Sequence, residues 1–114
     1  MKNEHHDCPA DAAVHVLSGK WKMLILWQLV EKPRRFGGLK RSVSGITEKM
    51  LIQQLRELED DGVIHRYDFQ EIPPKVEYSL TEHGQKLKPV LDALWQWGHQ
   101  HIQHCEEKQE SRAS

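Results

Sequence analysis

The sequence predicts a mainly helical α+β domain in which a helical N-terminal half is followed by one β-hairpin and a long closing helix. Two changes of period carry this. Apolar residues recur every three to four positions as far as Asp61, alternate one by one from Val63 to Leu80, and return to helical spacing from Thr81. Length is the third observation: 114 residues, 38% hydrophobic, make a single domain with a modest core, and an oligomer would enlarge it.

Met1–Asp7 is polar, holds His5 and His6, and reads as a flexible N-terminus over residues 1–7. Cys8-Pro9 supplies an N-cap and a first helical residue, since proline lacks only an N–H that would be unpaired there. The helix runs from Pro9 to about Leu17 and is broken by Ser18-Gly19. The next segment, KWKMLILWQLVE, is expected to bury Trp21, Leu24, Ile25, Trp27 and Leu29 and to be the most enclosed helix. Lys32 to Arg35 reads as a loop, and Phe36 and Leu39 anchor a short helix after it.

From Leu39 to Gly62 the chain reads as a short helix, a Ser44-Gly45 turn and a longer helix over about 47–61. Thr47 is a suitable N-cap and Gly62 a suitable C-cap. Leu51, Leu55 and Leu58 form one apolar stripe, and about 100° per residue places Lys49, Gln53 and Arg56 on the opposite side, with no acid in that row before Asp60. A second helix held proud of the body, carrying long donors on its outer face, suits a major groove about 12 Å wide. An ordinary helical hairpin with a solvated face has the same pattern, so the flanking sequence has to decide.

After Gly62, Val63, His65, Tyr67 and Phe69 fall on one face of a strand and Ile64, Arg66 and Asp68 on the other. Pro73-Pro74 turns the chain and Val76, Tyr78 and Leu80 return, so residues 63–80 form a hairpin, the wing of a winged helix-turn-helix. Lys75 at its tip is placed to reach a phosphate or the minor groove, or is simply solvated. The closing helix, about 81–104, carries Leu87, Val90, Leu91, Leu94, Trp95, Gly98, His101, Ile102 and Cys105 at helical spacing. That stripe has no partner left in the chain, so it is expected to pack on a second copy with help from the first helix. The fold class is thus α+β, mainly helical: a winged helix-turn-helix over 8–105 with N- and C-terminal dimerisation helices, then a polar tail at 106–114. Pro89 should kink or delay the last helix by removing a bond to Gln85.

The net charge of −1 hides a strong asymmetry. Residues 20–56 carry nine basic residues (Lys20, Lys22, Lys32, Arg34, Arg35, Lys40, Arg41, Lys49 and Arg56) against Glu31 and Glu48, whereas residues 57–114 carry six basic and twelve acidic. The basic half holds the helix-turn-helix, which is what phosphate binding requires. Lys49, Gln53 and Arg56 are therefore candidate base-proximal residues, Arg34, Arg35, Arg41 and Lys75 candidate phosphate contacts, and Thr47 and Lys40 further candidate DNA-binding residues.

Gly19-Lys20-Trp21-Lys22, Ile46-Thr47-Glu48-Lys49-Met50-Leu51, Gln54-Leu55-Arg56-Glu57-Leu58-Glu59, Pro73-Pro74-Lys75-Val76-Glu77-Tyr78-Ser79-Leu80-Thr81 and Trp97-Gly98 together resemble the HxlR-type bacterial transcription regulators. The resemblance covers about Cys8 to Ile102. It implies a homodimeric winged helix-turn-helix protein, related to MarR-type regulators, that binds double-stranded operator DNA. It also implies that Cys8 senses an electrophile or oxidant. Aldehyde-sensing members are similar around this cysteine but carry a lysine two residues later, where this chain has Ala10.

Cys8 before Pro9 would lie at a helix N-terminus, the dipole end that attracts negative charge, and thiolate is the attacking form of cysteine. Cys105, near the end of the presumed seam, is its candidate partner across a dimer; in the plainer reading Cys8 is an inert N-cap. A metal- or small-ligand-responsive regulator is the alternative, with His5, His6, Cys8, His101, His104 and Cys105 converging across two subunits, although no pair has a known zinc-ligand spacing. An interaction module for proteins alone is the rival that does not bind DNA. An enzyme is not expected, because there is no nucleophile elbow, glycine-rich phosphate loop or spaced carboxylate pair. No cofactor is expected, and without an apolar span or secretory pattern the reading is cytoplasmic.

Overall fold

A computed structural model describes residues 8–113, so the flexible segment expected at 1–7 lies outside the described residues. The described elements in chain order are α1 (Pro9–Leu17), α2 (Lys20–Glu31), β1 (Arg34–Arg35), α3 (Phe36–Ser42), α4 (Glu48–Asp60), β2 (Ile64–Asp68), β3 (Val76–Leu80), α5 (Glu82–Gln85) and α6 (Lys88–Ala113). This is a winged helix-turn-helix: α3 and α4 make the helix pair, and β2 and β3 the wing.

Local chemistry explains most boundaries. The Thr47 hydroxyl accepts from Met50 N at 3.1 Å, capping α4. The same helix ends with Gly62 at φ +76°, Gly62 N bonding Glu59 O at 3.0 Å and Val63 N bonding Leu58 O at 3.2 Å. That pair of bonds around a left-handed glycine satisfies carbonyls the last turn would otherwise leave open. Gly45, at φ +89°, makes the turn between α3 and α4.

The core joins Ile25, Leu26 and Leu29 of α2, Leu39 of α3, Val43 and Ile46 of the turn that follows it, Leu51, Leu55 and Leu58 of α4, and Val63, Ile64 and Tyr78 of the wing. Two expectations for α2 need correction. Leu24 is 42% exposed and Leu26 is fully buried instead, while Trp21 and Trp27 are half-buried. A helix apolar nearly all round has no periodic stripe from which to choose its buried face. Lys22 is also buried, 6% exposed, its ammonium 2.6 Å from Glu57 Oε1 of α4.

Arg34 and Arg35, expected in a loop, form the third strand of an antiparallel sheet ordered β1-β3-β2, with Arg34 opposite Tyr78 and Arg35 opposite Glu77. In β2, Ile64 is buried and His65 to Asp68 are all exposed, so the wing's alternation does not become an inside and an outside beyond its base. The expected ring face does assemble: Tyr67 stands edge-on to Phe69 at 4.7 Å, with His65 beside it at 6.3 Å.

The helix expected over 81–104 is two helices. Thr81 caps α5 by accepting from Gly84 N at 2.9 Å, and Leu87 N closes back on Gly84 O at 3.0 Å. Pro89 is the second residue of α6, where its missing N–H costs no helical bond. Residues 106–113, read as a tail, continue α6. At about 1.5 Å per residue this helix is about 39 Å long. It leaves the domain body, which explains a radius of gyration of 17.0 Å against about 13 Å for a compact chain of this length.

Candidate nucleic-acid interface

The stripe of α4 packs as its spacing requires, with Leu51, Leu55 and Leu58 at most 2% exposed. Lys49, Gln53 and Arg56 are consequently turned out and exposed. Thr47, exposed at the start of α4, spends its hydroxyl on the cap, accepting from Met50 N.

The row is not free of acid, contrary to its helical-wheel reading. Gln53 Nε2 donates to Glu57 Oε2 at 3.2 Å, and Glu57 is the residue that binds Lys22. The Lys22 charge is therefore offset by Glu57, although it counts among the nine basic residues of this half. Its charge is met inside the fold by a carboxylate supplied from α4.

The phosphate candidates divide into three kinds. Arg35, Lys40 and Arg41 are exposed, the last two in the final turn of α3. Arg34 is half-buried: its guanidinium forms an ion pair with Glu31 and donates from Nε to Gln28 O at 3.4 Å, so it braces β1 against α2. Lys75 is half-buried with Nζ 4.2 Å from the centre of the Phe69 ring, and a cation over a ring face is held there by about 0.5–1 kcal/mol at an exposed site.

Arg66 was missed. It lines one concave surface with Arg56, Phe36, Glu48, Ile52 and Val76, where α4 faces the wing, and it is exposed. Its place with Ile64 and Asp68 in the strand alternation is the sequence signal that sets it on the wing, and the structure pairs it with Tyr78.

The cysteines are separate from this face. Cys8 is exposed at the N-cap of α1 and makes no capping bond through its side chain. Cys105 is exposed on α6 with Sγ 3.6 Å from His101 Nε2. Among the described residues no group of three His, Cys, Asp or Glu side chains is arranged to hold a metal, and His5 and His6 lie outside them. Nor, among those residues, is any helix long and apolar enough to cross a membrane.

An outward helix held by a helix-turn-helix, flanked by a basic helix end and a wing, defines a DNA-binding transcription regulator rather than an enzyme. The chain belongs to the HxlR-like helix-turn-helix family, whose profile matches residues 16–106. It is 47% identical over 102 residues to the HTH-type transcriptional regulator YtcD of Bacillus subtilis (strain 168), covering 90% of this chain and 81% of YtcD. Among solved structures it is similar to the reduced form of the redox regulator HypR, with a TM-score of 0.83 and 39% identity over 88% of this chain and 99% of that one. It is also similar to the reduced form of the transcriptional regulator YodB from B. subtilis, with a TM-score of 0.73 and 34% identity over 83% and 94% of the two chains.

Proposed function

We propose that the protein acts in the cytoplasm as a homodimeric transcription regulator. In this reading, residues 8–105 form the winged helix-turn-helix domain. The α4 helix enters the major groove with Lys49, Gln53 and Arg56 at base edges and Thr47 at its rim. Arg35, Lys40 and Arg41 hold phosphates; Arg34 and Lys75 join them if they leave Glu31 and Phe69. The observation that carries this reading is the outward row on α4, fixed by a buried leucine stripe and defined caps.

The dimer is supported by an apolar face that the single chain leaves open. Val90, Leu94, Trp95, Trp97 and Ile102 of α6 are between 42% and 63% exposed, and Val14 of α1 is 64% exposed. Large apolar side chains exposed along one helix are the mark of a surface that packs on a partner. A two-fold pair would read half-sites about one helical turn apart, giving a pseudo-palindromic operator.

The signal we propose is an oxidant or electrophile acting on Cys8, alone or through a disulfide with Cys105 of the other subunit. Exposure of both thiols supports it, as does likeness to HypR, solved in reduced and oxidised forms, and to YodB, also solved after diamide treatment. A disulfide needs the two Cα atoms within about 7 Å, and forming it would alter the spacing of the two α4 helices. The test is selection from a randomised duplex library, footprinting of the selected site, and titration of that site before and after diamide. A protected palindrome whose affinity changes on oxidation in the wild type but not in Cys8→Ser is expected. Absence of any duplex binding at low salt overturns the DNA reading, and equal responses of wild type and Cys8→Ser overturn the role of Cys8.

A further inference from the structure

Glu57 is bound through both oxygens. Oε1 accepts from Lys22 Nζ at 2.6 Å, and Oε2 accepts from Gln53 Nε2 at 3.2 Å. The lysine side chain is 8% exposed and the glutamate 34%. An exposed pair at i,i+4 on a helix is worth only a few tenths of a kcal/mol and lets go easily. This carboxylate cannot swing away so easily, because doing so would leave a buried ammonium without its counter-charge. Its anchor is on α2, behind the recognition helix, so the outer oxygen has a fixed place relative to the core.

An ionised carboxylate only accepts hydrogen bonds. It therefore selects which end of the Gln53 amide turns toward it: the nitrogen, never the oxygen. One N–H is used, and the carbonyl oxygen and second N–H remain for a base edge. Adenine presents an N6–H donor beside the N7 acceptor in the major groove, which this pair of groups complements. Guanine presents two acceptors there, O6 and N7. A free glutamine answers guanine by turning its NH2 toward both. A glutamine with one N–H tied and its carbonyl outward opposes oxygen to oxygen.

From this arrangement we infer that Glu57, fixed by buried Lys22, is a positioning residue that makes Gln53 a reader of adenine against guanine. The inference rests on the proposal that α4 reads base edges. Glu57 contributes discrimination rather than affinity, because it touches the amide and not the DNA.

Removing Glu57 alone leaves Lys22 buried and unpaired, so the informative variants change both. Lys22→Met/Glu57→Ala removes the anchor and the acceptor. Lys22→Met/Glu57→Gln keeps the length of the side chain but replaces the anchored, acceptor-only carboxylate with an unanchored amide. Each is checked for folding by circular dichroism and then titrated against the selected site with each base pair substituted in turn, and against random duplex. In the wild type, one position in each half-site should favour adenine over guanine by on the order of 5- to 150-fold, the span of a good bidentate contact. In Lys22→Met/Glu57→Ala that ratio should fall to roughly 1- to 3-fold at that position alone, through a gain on guanine, with random binding not reduced. Lys22→Met/Glu57→Gln, whose amide donates as well as accepts and has no anchor, should stay near that low ratio. Gln53→Ala identifies the position by flattening it.

If Gln53→Ala flattens one position and the Glu57 variants keep the wild-type preference there, Glu57 has no positioning role, although α4 still reads bases. A preferred base other than adenine at that position overturns the inference equally. If Gln53→Ala changes no position while the protein still selects a site, Gln53 is not a reader. Failure of the wild type to bind any duplex overturns the proposal beneath both.

Discussion

Substituting Gly84 by alanine tests how the wing is joined to the closing helices. Gly84 is buried in α5, and a Cβ built there would lie 1.9 Å from Val63 O, 2.9 Å from its carbonyl carbon and 3.2 Å from its Cα. The obstacle is backbone at the entrance to β2, with no side-chain rotation to relieve it. Restoring ordinary contact requires α5 to retreat by about 1.5 Å, since packed interiors do not absorb a methyl. The retreat strains two bonds that close this corner, Thr81 N to Val63 O at 3.1 Å and Thr81 Oγ1 to Gly62 O at 2.7 Å. Overpacking costs about 1–3 kcal/mol and each weakened bond about 1 kcal/mol, so the loss should be about 3–5 kcal/mol. That is a large share of the stability of a domain this size. The assay is urea unfolding followed by tryptophan fluorescence, and at about 1–3 kcal/mol per molar the midpoint should fall by more than about 1 M. Gly38→Ala is the control, a helical glycine with nothing within 4 Å of its Cβ, and should be neutral or slightly stabilising. A Gly84→Ala loss below about 1 kcal/mol, with the control behaving as stated, would falsify the close approach of α5 to Val63.

Thr47→Ala should cost about 1 kcal/mol of stability through the lost cap on Met50 N, read as a lower melting temperature; Thr47→Ser should recover most of it. Arg41→Ala should weaken specific and random duplexes alike and lower the slope of log affinity against log salt by about 1, while Gln53→Ala costs about 1–3 kcal/mol on the selected site only. Equal losses on random DNA for the two would remove the distinction between phosphate and base contacts. Ending the chain before Leu87 deletes Leu91, 3% exposed, and the Trp95 ring stacked 5.3 Å from Trp27. The product should aggregate or fold poorly, and a well-behaved monomer in sedimentation would show that α6 is dispensable. On a non-reducing gel after diamide, a dimer band lost in both Cys8→Ser and Cys105→Ser marks an intersubunit disulfide, whereas an operator response that survives in Cys105→Ser marks modification of Cys8 alone.

What the sequence determines by itself is everything that depends on neighbours within a turn or two. The leucine spacing that buries one side of α4, the caps at Thr47 and Gly62, the change to alternation after Val63 and the delay at Pro89 are all local, and all are legible. They specify the winged helix-turn-helix and the outward row of Lys49, Gln53 and Arg56. Tertiary structure decides what distant segments do to one another. No pattern marks Arg34-Arg35 as a strand, because two residues become one only when β3 offers bonds. In α2, apolar residues on every side leave the choice between Leu24 and Leu26 to the elements packed around it. Counting charges along the chain places Lys22 with the basic residues of the interface, yet α2 folds it inward onto Glu57, and that partner in turn governs Gln53. A helix's period reports which of its faces is apolar, but the partner of a buried charge is set by the packing of two helices, and only their contact brings Lys22, Glu57 and Gln53 into one chain of bonds.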